Sequence, residues 1–188
     1  MKAFWTAMAA AAVLAAPLQA QLGTARGLAV EVRGGTAAGN YGPAASEFVI
    51  TPRLALGASV SYGVTEHVGV YAGVSRSSFG CDTGFCEGRD VGFTSRGVDA
   101  GAELRLPLPA APWIRAGLVH HSLHYRAGNV ADEGEQTSGA GFSAGGGVEL
   151  RVGRRLSVTP GVRYVRYGAA DDDGVALLVG DVGLKIRM

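Results

Sequence analysis

The sequence predicts an all-β protein, an eight-stranded antiparallel up-and-down barrel that crosses a membrane with its strands. The clearest sign is the C-terminal stretch Val175–Met188, where one alternate set of residues is uncharged and the other includes Asp181, Lys185 and Arg187. Alternation with period two is typical of a strand, because successive side chains leave it on opposite faces. The stretch exceeds the roughly 5–6 residues of a soluble strand and satisfies the about 9–11 that a membrane-crossing strand needs.

The same alternation recurs along the chain and divides it into eight strands separated by turn-forming residues. They are predicted at Arg26–Ala38, Phe48–Tyr62, His67–Phe79, Val91–Leu106, Trp113–Arg126, Gly139–Val152, Leu156–Tyr167 and Val175–Met188. The first three loops at one end, including an acidic solvated segment at 129–138, are long, and the turns between them are short. This asymmetry is typical of outer-membrane barrels with periplasmic termini. Pro52 and Pro160 fall inside predicted strands, so a bulge or a strand end is expected at each.

The N-terminus predicts export. A short basic start is followed by an apolar run from Ala3 to Ala16 and by small residues up to Ala20. We therefore expect a cleaved signal peptide at 1–20 and a barrel domain at 21–188. A membrane-anchor helix is the alternative, but the run is shorter than the ~20 residues such a helix needs and Pro17 interrupts it.

Net charge and the two cysteines indicate which kinds of partner and ligand the chain is expected to bind. A formal net charge of +1 gives no indication of a nucleic-acid partner. Cys81 and Cys86 are the two cysteines, and in an exported chain a pair this close predicts a disulfide within a loop. Since no further ligand is adjacent to them, neither a metal nor a cofactor is expected.

Charged residues lie on the parity opposite to the apolar faces, which predicts a charge network inside the barrel. Its members are Glu31, Arg33, Arg53, Asp99, Glu103, Arg105, Arg115, Glu149, Arg151, Arg163, Asp181 and Lys185. Unpaired charges there would be costly, so both signs should pair across the interior. An eight-stranded barrel is just wide enough for its own side chains to fill it, which favours a structural interior over an ion path.

These features resemble the small outer-membrane β-barrel family of the OmpA/OmpX type. The resemblance is carried by the signal peptide, the eight strands, the phrase G-V-D-A-G-A-E-L-R-L-P-L at 97–108 and the terminal V-G-D-V-G-L-K-I. It implies a monomer in the outer membrane, inserted by the outer-membrane insertion machinery and surrounded by lipid and lipopolysaccharide. It also implies a structural or surface-interaction role through the extracellular loops and no catalytic residues. The chain departs from the family at Met188, where an aromatic residue usually ends the last strand.

A secreted, lipocalin-like ligand-binding barrel is one alternative, because it also has one apolar and one polar face, turned inside out. The small, sparsely charged polar face and the length of the strands favour the membrane barrel. Trp113, Tyr62 and Phe142 near strand ends are expected to form interfacial aromatic belts on the apolar face.

A lipid A-modifying enzyme is the other alternative. His120, His121 and Ser122 are similar to the His-x-Ser pair of a barrel-type lipid A deacylase, with Glu133 or Glu135 as a candidate acid. Leu123 stands where that family has Asn, however, and polar residues are common at a barrel rim, so a scaffold is favoured.

Two further polar groups have a simpler interpretation. His120 and His124 stand about 13 Å apart along an extended strand, which argues against a shared metal ion. The acidic segments 132–135 and 171–173 are interpreted as solvated loop tips, with binding of a divalent cation or a partner as the alternative.

Overall fold

The computed structural model describes residues 26–41, 51–81, 91–108, 110–127, 133–168 and 174–188. Within them the strands are β1 Gly27–Tyr41, β2 Pro52–Gly63, β3 Val68–Cys81, β4 Val91–Arg105, β5 Pro112–Ala127, β6 Glu133–Val148, β7 Leu150–Arg151, β8 Leu156–Gly168 and β9 Gly174–Arg187. No helix in these ranges is long and apolar enough to cross a membrane. The predicted signal peptide lies outside the described residues.

The strands form one closed antiparallel barrel. Their order is β6-β5-β4-β3-β2-β1-β9-β8-β7, and pairing of β6 with β8 closes the cylinder. β6 and β7 together make one barrel strand, so the predicted eight-stranded barrel is confirmed. We call the end with connections 64–67, 106–111 and 152–155 the turn end, and the opposite end the loop end. β1 begins and β9 finishes at the turn end.

The break between β6 and β7 explains how Pro160 is accommodated. Pro160 lies inside β8, where its register with β9 runs unbroken, so the strand end or bulge expected within this strand is wrong. The ladder on its other side stops at Gly147–Gly161 and resumes at Leu150–Val158 in the same register. Next to this break the amide of Glu149 donates to the carbonyls of Ala110 and Ala111, at 3.0 and 3.2 Å, which continues the register of β6 with β5. Because proline has no amide to donate, its neighbouring strand is the one interrupted.

Other strand limits differ from the prediction at the loop end. Pro52 does begin β2 and lies at a register shift against β3, as expected. The predicted acidic loop at 129–138 is wrong in extent, because β6 already begins at Glu133 and pairs with Arg126. Cross-strand pairing therefore extends the β5–β6 hairpin, and its connection is only 128–132.

Burial alternates along the strands as period two requires. The outward set is apolar and exposed, from Leu28 and Leu54 to Leu118, which is 74% exposed. Such a continuous apolar outer wall exceeds the patches that soluble monomers expose, and charged side chains lie inside. The arrangement excludes a secreted barrel with a polar exterior.

The interior is divided into two layers. The loop-end half contains an apolar cluster, here called the apolar plug: Ala37, Ala55, Phe79, Phe93, Val119, Leu123, Val165, Tyr167, Val175, Leu177 and Val179. The charged residues fill the turn-end half. The inward face was described from the sequence as small and sparsely charged, and its apolar cluster at the loop end was not predicted.

Trp113 was also placed incorrectly. It is 5% exposed and points into the barrel, whereas Tyr62 and Phe142 point outward as expected. Room for the indole is provided by Gly147 and Gly161, where an added Cβ would come within 2.8 and 2.7 Å of its Cζ2 atom. A ring this large fits the lumen because two facing residues have no side chain.

Candidate functional site

Arg115 is the centre of the charge layer, the set of ionic residues in the turn-end half of the lumen. Its guanidinium lies 2.7 Å from Glu31 Oε2 and also donates to Glu103, its register partner on β4. The same guanidinium stacks 5.3 Å from the ring centre of Tyr71 and 4.9 Å from that of Trp113. Two carboxylates and two rings therefore fix one cation in the middle of the cylinder.

Closer to the turn end, the network continues through Glu103 and Glu149. Lys185 Nζ lies 3.3 Å from Glu103 Oε1 and 3.8 Å from Glu149 Oε2. Arg105 bonds Glu103 at 2.6 Å, and Arg187 bonds Glu149. Each of these carboxylates thus contacts more than one cation, which offsets part of the desolvation cost of burial.

A second group lies nearer the middle of the lumen and is less completely paired. Arg163 Nη1 is 3.8 Å from Asp99 Oδ2, and Arg33 and Asp181 line the same small cavity. Both Asp99 oxygens and two guanidinium nitrogens of Arg33 are buried without a hydrogen-bond partner among the described residues. Buried polar atoms of this kind are usually bonded to ordered water, so we expect water at these atoms.

The apolar plug closes the lumen above the charge layer. Leu123 is 0% exposed, and Phe79 stacks on Phe93 with ring centres 5.3 Å apart. A polar chain crosses this region, in which the Tyr167 hydroxyl donates to Ser95 Oγ at 2.7 Å and Ser95 lies 3.1 Å from His121 Nδ1. With both halves filled by side chains, the described interior offers no continuous open path.

The outward histidine–serine cluster has a different geometry from the one the sequence suggested. His120 and Ser122 do lie on the outer wall, and His121 points inward. Ser122 Oγ is 3.2 Å from His124 Nε2, not bonded to His120. Glu135 is the register partner of His124, but its side chain lies outside the described set, as does that of Glu133.

Two other arginines predicted for the lumen charge network lie on described strands. Arg53 and Arg151 are half-buried and have interaction partners of their own. Cys86 lies outside the described residues, so the Cys81–Cys86 disulfide stays a prediction. No group of three or more His, Cys, Asp or Glu in the described ranges is arranged to hold a metal ion.

Sequence reasoning missed three parts of the interior. Arg187 lies two residues after Lys185 on the same strand and therefore has the same inward parity, so the sequence could have placed it in the charge network. Trp113 shares its parity with Arg115, and its partner Gly147 was a usable sign of an inward ring. The plug residues had the correct parity as well, but nothing in a single strand shows that apolar inward residues from six others meet at one level.

A family model for the outer membrane protein beta-barrel domain matches residues 6–182. The chain belongs to this family. Family membership indicates that this barrel is located in the outer membrane. Its apolar outer wall is then in contact with lipid. A search of curated proteins found no significant match.

Solved structures of other outer-membrane barrels have the same fold. Neisserial surface protein A (NspA) superposes with a TM-score of 0.64 at 14% identity, covering 86% of this chain and 97% of that one. Ail of Yersinia pestis, in complex with the heparin analogue sucrose octasulfate, gives 0.52 at 13% identity over 85% and 99%. OprG of Pseudomonas aeruginosa gives 0.53 at 12% identity over 89% and 99%. At these identities the likeness shows the fold.

Proposed function

We propose that this outer-membrane barrel is a rigid scaffold that presents its loop-end segments at the cell surface. In this proposal it neither conducts solutes nor catalyses a reaction. The observation that carries the proposal is the filled lumen, in which the apolar plug lies directly above the charge layer. A barrel packed in this way has no room for a transported solute and holds the ends of its strands rigidly. What remains for contact with the surroundings is the outer wall and the four loop-end segments.

The composition of those segments indicates the kind of partner. Arg89 is the only basic residue in 42–50, 82–90, 128–132 and 169–173. The acidic residues are Glu47, Asp82, Glu87, Asp90, Asp132, Asp171, Asp172 and Asp173. We infer that the loop end attracts cationic groups on the surface of a partner. A sulfated glycan analogue such as the one bound by Ail should be repelled.

The test uses bacteria that lack the protein and are complemented with one of three genes. These encode wild type, the loop variant Asp171→Asn/Asp172→Asn/Asp173→Asn, or the turn-end control Glu66→Gln. Attachment to host cells and resistance to detergent are measured together, after heat-modifiable gel migration has shown folding. The loop variant should restore detergent resistance but lose several-fold in attachment, and the control should restore both. Equal attachment by wild type and the loop variant would remove the acidic loops from the proposal.

A lipid A-modifying enzyme is the second candidate, because Ser122 Oγ and His124 Nε2 are within hydrogen-bond distance on the lipid-facing wall. Against it, the pair formed is not the His-x-Ser pair that the resemblance requires. We expect lipid A from cells with Ser122→Ala to have the same acylation as lipid A from wild-type cells by mass spectrometry. An extra acyl chain in the variant would establish the enzyme and contradict our proposal.

We also propose that the protein works as a monomer inserted by the outer-membrane insertion machinery. Pairing of β6 with β8 closes the cylinder within the described residues, so the edges of both strands are paired within one chain over Gly141–Gly147, which supports a monomer. β9 retains an outward apolar set up to Ile186 and Met188, which supports recognition of its C-terminal end despite the absent aromatic residue.

A further inference from the structure

The outer wall carries two neighbouring arginines on strands β3 and β4. Arg76 and Arg96 are register partners, and both side chains are exposed on the outward face. The same row continues through Ser122 on β5 to Ser138 on β6. The wall next to this row is apolar toward the turn end, where Val74 and Val98 form the next outward pair on the same two strands.

The height of this row on the barrel is set by the strand geometry. A strand tilted by about 40° climbs roughly 2.5 Å per residue along the barrel axis. Arg76 therefore stands about 20 Å above Val68, where β3 begins at the turn end. Because the apolar band of such barrels is about 25 Å tall, the two arginines lie at its outer edge, beside the headgroups of the outer leaflet.

Electrostatics at this position call for an anion. Like charges directly opposite each other on neighbouring strands destabilise the pair, and a lipid interface solvates charge less well than water does. Neither guanidinium forms an ion pair or a side-chain hydrogen bond with another described residue. Arginine forks match the oxygens of phosphate in a bidentate manner, so a phosphate between the two would relieve the repulsion.

A groove with a volume of about 750 Å³ surrounds the pair. Its lining includes Leu56, Ser122 and Ser138 from the arginine row. Val74, Val98 and His120 line it from the next outward row toward the turn end. The groove is thus mainly cationic and hydroxyl-lined in the outer row and mainly aliphatic in the row nearer the membrane centre. This division matches a molecule with a phosphate headgroup and a hydrocarbon tail, held along the wall of the barrel.

We propose that this groove binds one outer-leaflet lipid through its phosphate. Arg76 and Arg96 hold the phosphate, Ser122 and His120 donate hydrogen bonds to the headgroup, and an acyl chain lies along Val74 and Val98. The site belongs to the lipid-facing wall and goes beyond the loop-mediated role. It rests only on the barrel being embedded in the membrane with its loop end outward.

The experiment is native mass spectrometry of the folded protein, released from neutral detergent micelles that contain bisphosphorylated lipid A. Wild type should retain one lipid, and Arg76→Gln/Arg96→Gln should weaken retention by about tenfold or more. The matched control is Arg166→Gln, an exposed outward arginine on β8 whose register partners are Phe142 and Ala176. It should retain lipid as wild type does. Dephosphorylated lipid A should bind wild type about as weakly as bisphosphorylated lipid A binds the double variant.

Three results would overturn the proposal: no lipid retained by wild type, equal retention by the double variant, or equal retention of dephosphorylated lipid A. Complete displacement of the lipid by millimolar inorganic phosphate would also contradict it, because the acyl chain would then contribute nothing. If the double variant does not show heat-modifiable folding, the single variant Arg96→Gln is measured against Arg166→Gln under the same criteria. Loss of loop-dependent attachment would leave this binding unchanged, so the two proposals fail separately.

Discussion

The two halves of the lumen fill the same cylinder with opposite chemistry. Toward the turn end, Arg115, Glu31 and Glu103 form a connected set of ion pairs. Toward the loop end, Phe79, Phe93 and Leu123 pack as the core of a soluble protein would. The two halves should therefore respond differently to the loss of one inward side chain. Removing a member of the charge layer leaves a buried ion without its partner, whereas removing a member of the plug leaves a cavity.

The largest effect is expected for Arg115→Met. The substitution keeps much of the volume but leaves Glu31 and Glu103 without their central cation, so the free energy of unfolding should fall by about 3–5 kcal/mol. Equilibrium unfolding in urea in the presence of lipid vesicles measures it. The control is Arg154→Met in the exposed turn 152–155, which should change stability by less than about 0.5 kcal/mol. A loss below about 1 kcal/mol for Arg115→Met would show that water replaces the missing cation, and the two halves would then differ little.

A smaller effect is expected in the plug. Leu123→Ala removes a fully buried side chain and should cost about 2–4 kcal/mol through lost packing and a cavity. Leu118→Ala is the matched control on the same strand, because this residue is 74% exposed on the outward face and lipid chains can fill the space. Its cost should stay below about 1 kcal/mol. If both variants lose the same stability by the same measurement, the plug is not packed as a core.

The smallest effect should come from the polar chain inside the plug. Tyr167→Phe removes the hydroxyl that donates to Ser95 Oγ at 2.7 Å and should lower the free energy of unfolding by about 1 kcal/mol. Tyr164→Phe, three residues away on β8 and only half-buried, should have almost no effect. A double-mutant cycle of Tyr167→Phe with Ser95→Ala measures the coupling directly. An additive cycle would show that the bond contributes nothing to holding the plug together.

The strands and their faces could be predicted from the sequence because period-two alternation is a local property. Val175–Met188 and Gly97–Leu106 each show both faces without knowledge of any neighbour. The inward parity of Glu31 and Lys185 follows from the same rule, although their pairing across β1 and β9 needs the register. Register and closure are properties of the whole barrel, so the sequence could not show that Arg115 reaches Glu31 as well as Glu103.

The errors have the same physical origin. Phe79 and Phe93 lie near strand ends, where aromatic residues are equally expected in outward belts and in an inward plug. Their parity points inward, but only the register shows that they stack on each other across β3 and β4. Trp113 was assigned outward because belts favour tryptophan, and the glycines that make room for it belong to other strands. Pro160 was expected to disturb its own strand, but the missing amide affected the neighbour instead.

Because the strand beside Pro160 is interrupted, the hydrogen-bonded ladders around the barrel differ in length. The ladder between β6 and β8 spans Gly141–Gly147 against Gly161–Tyr167, and β7 adds only Leu150 and Arg151, while β1 and β9 pair without a break from Ala29 to Tyr41. Thermal opening should begin where the fewest bonds must break, so backbone amides along this seam exchange with solvent before those of β1 and β9. The β6–β8 ladder would then be both the last strand pairing to form during assembly and the first to open on heating.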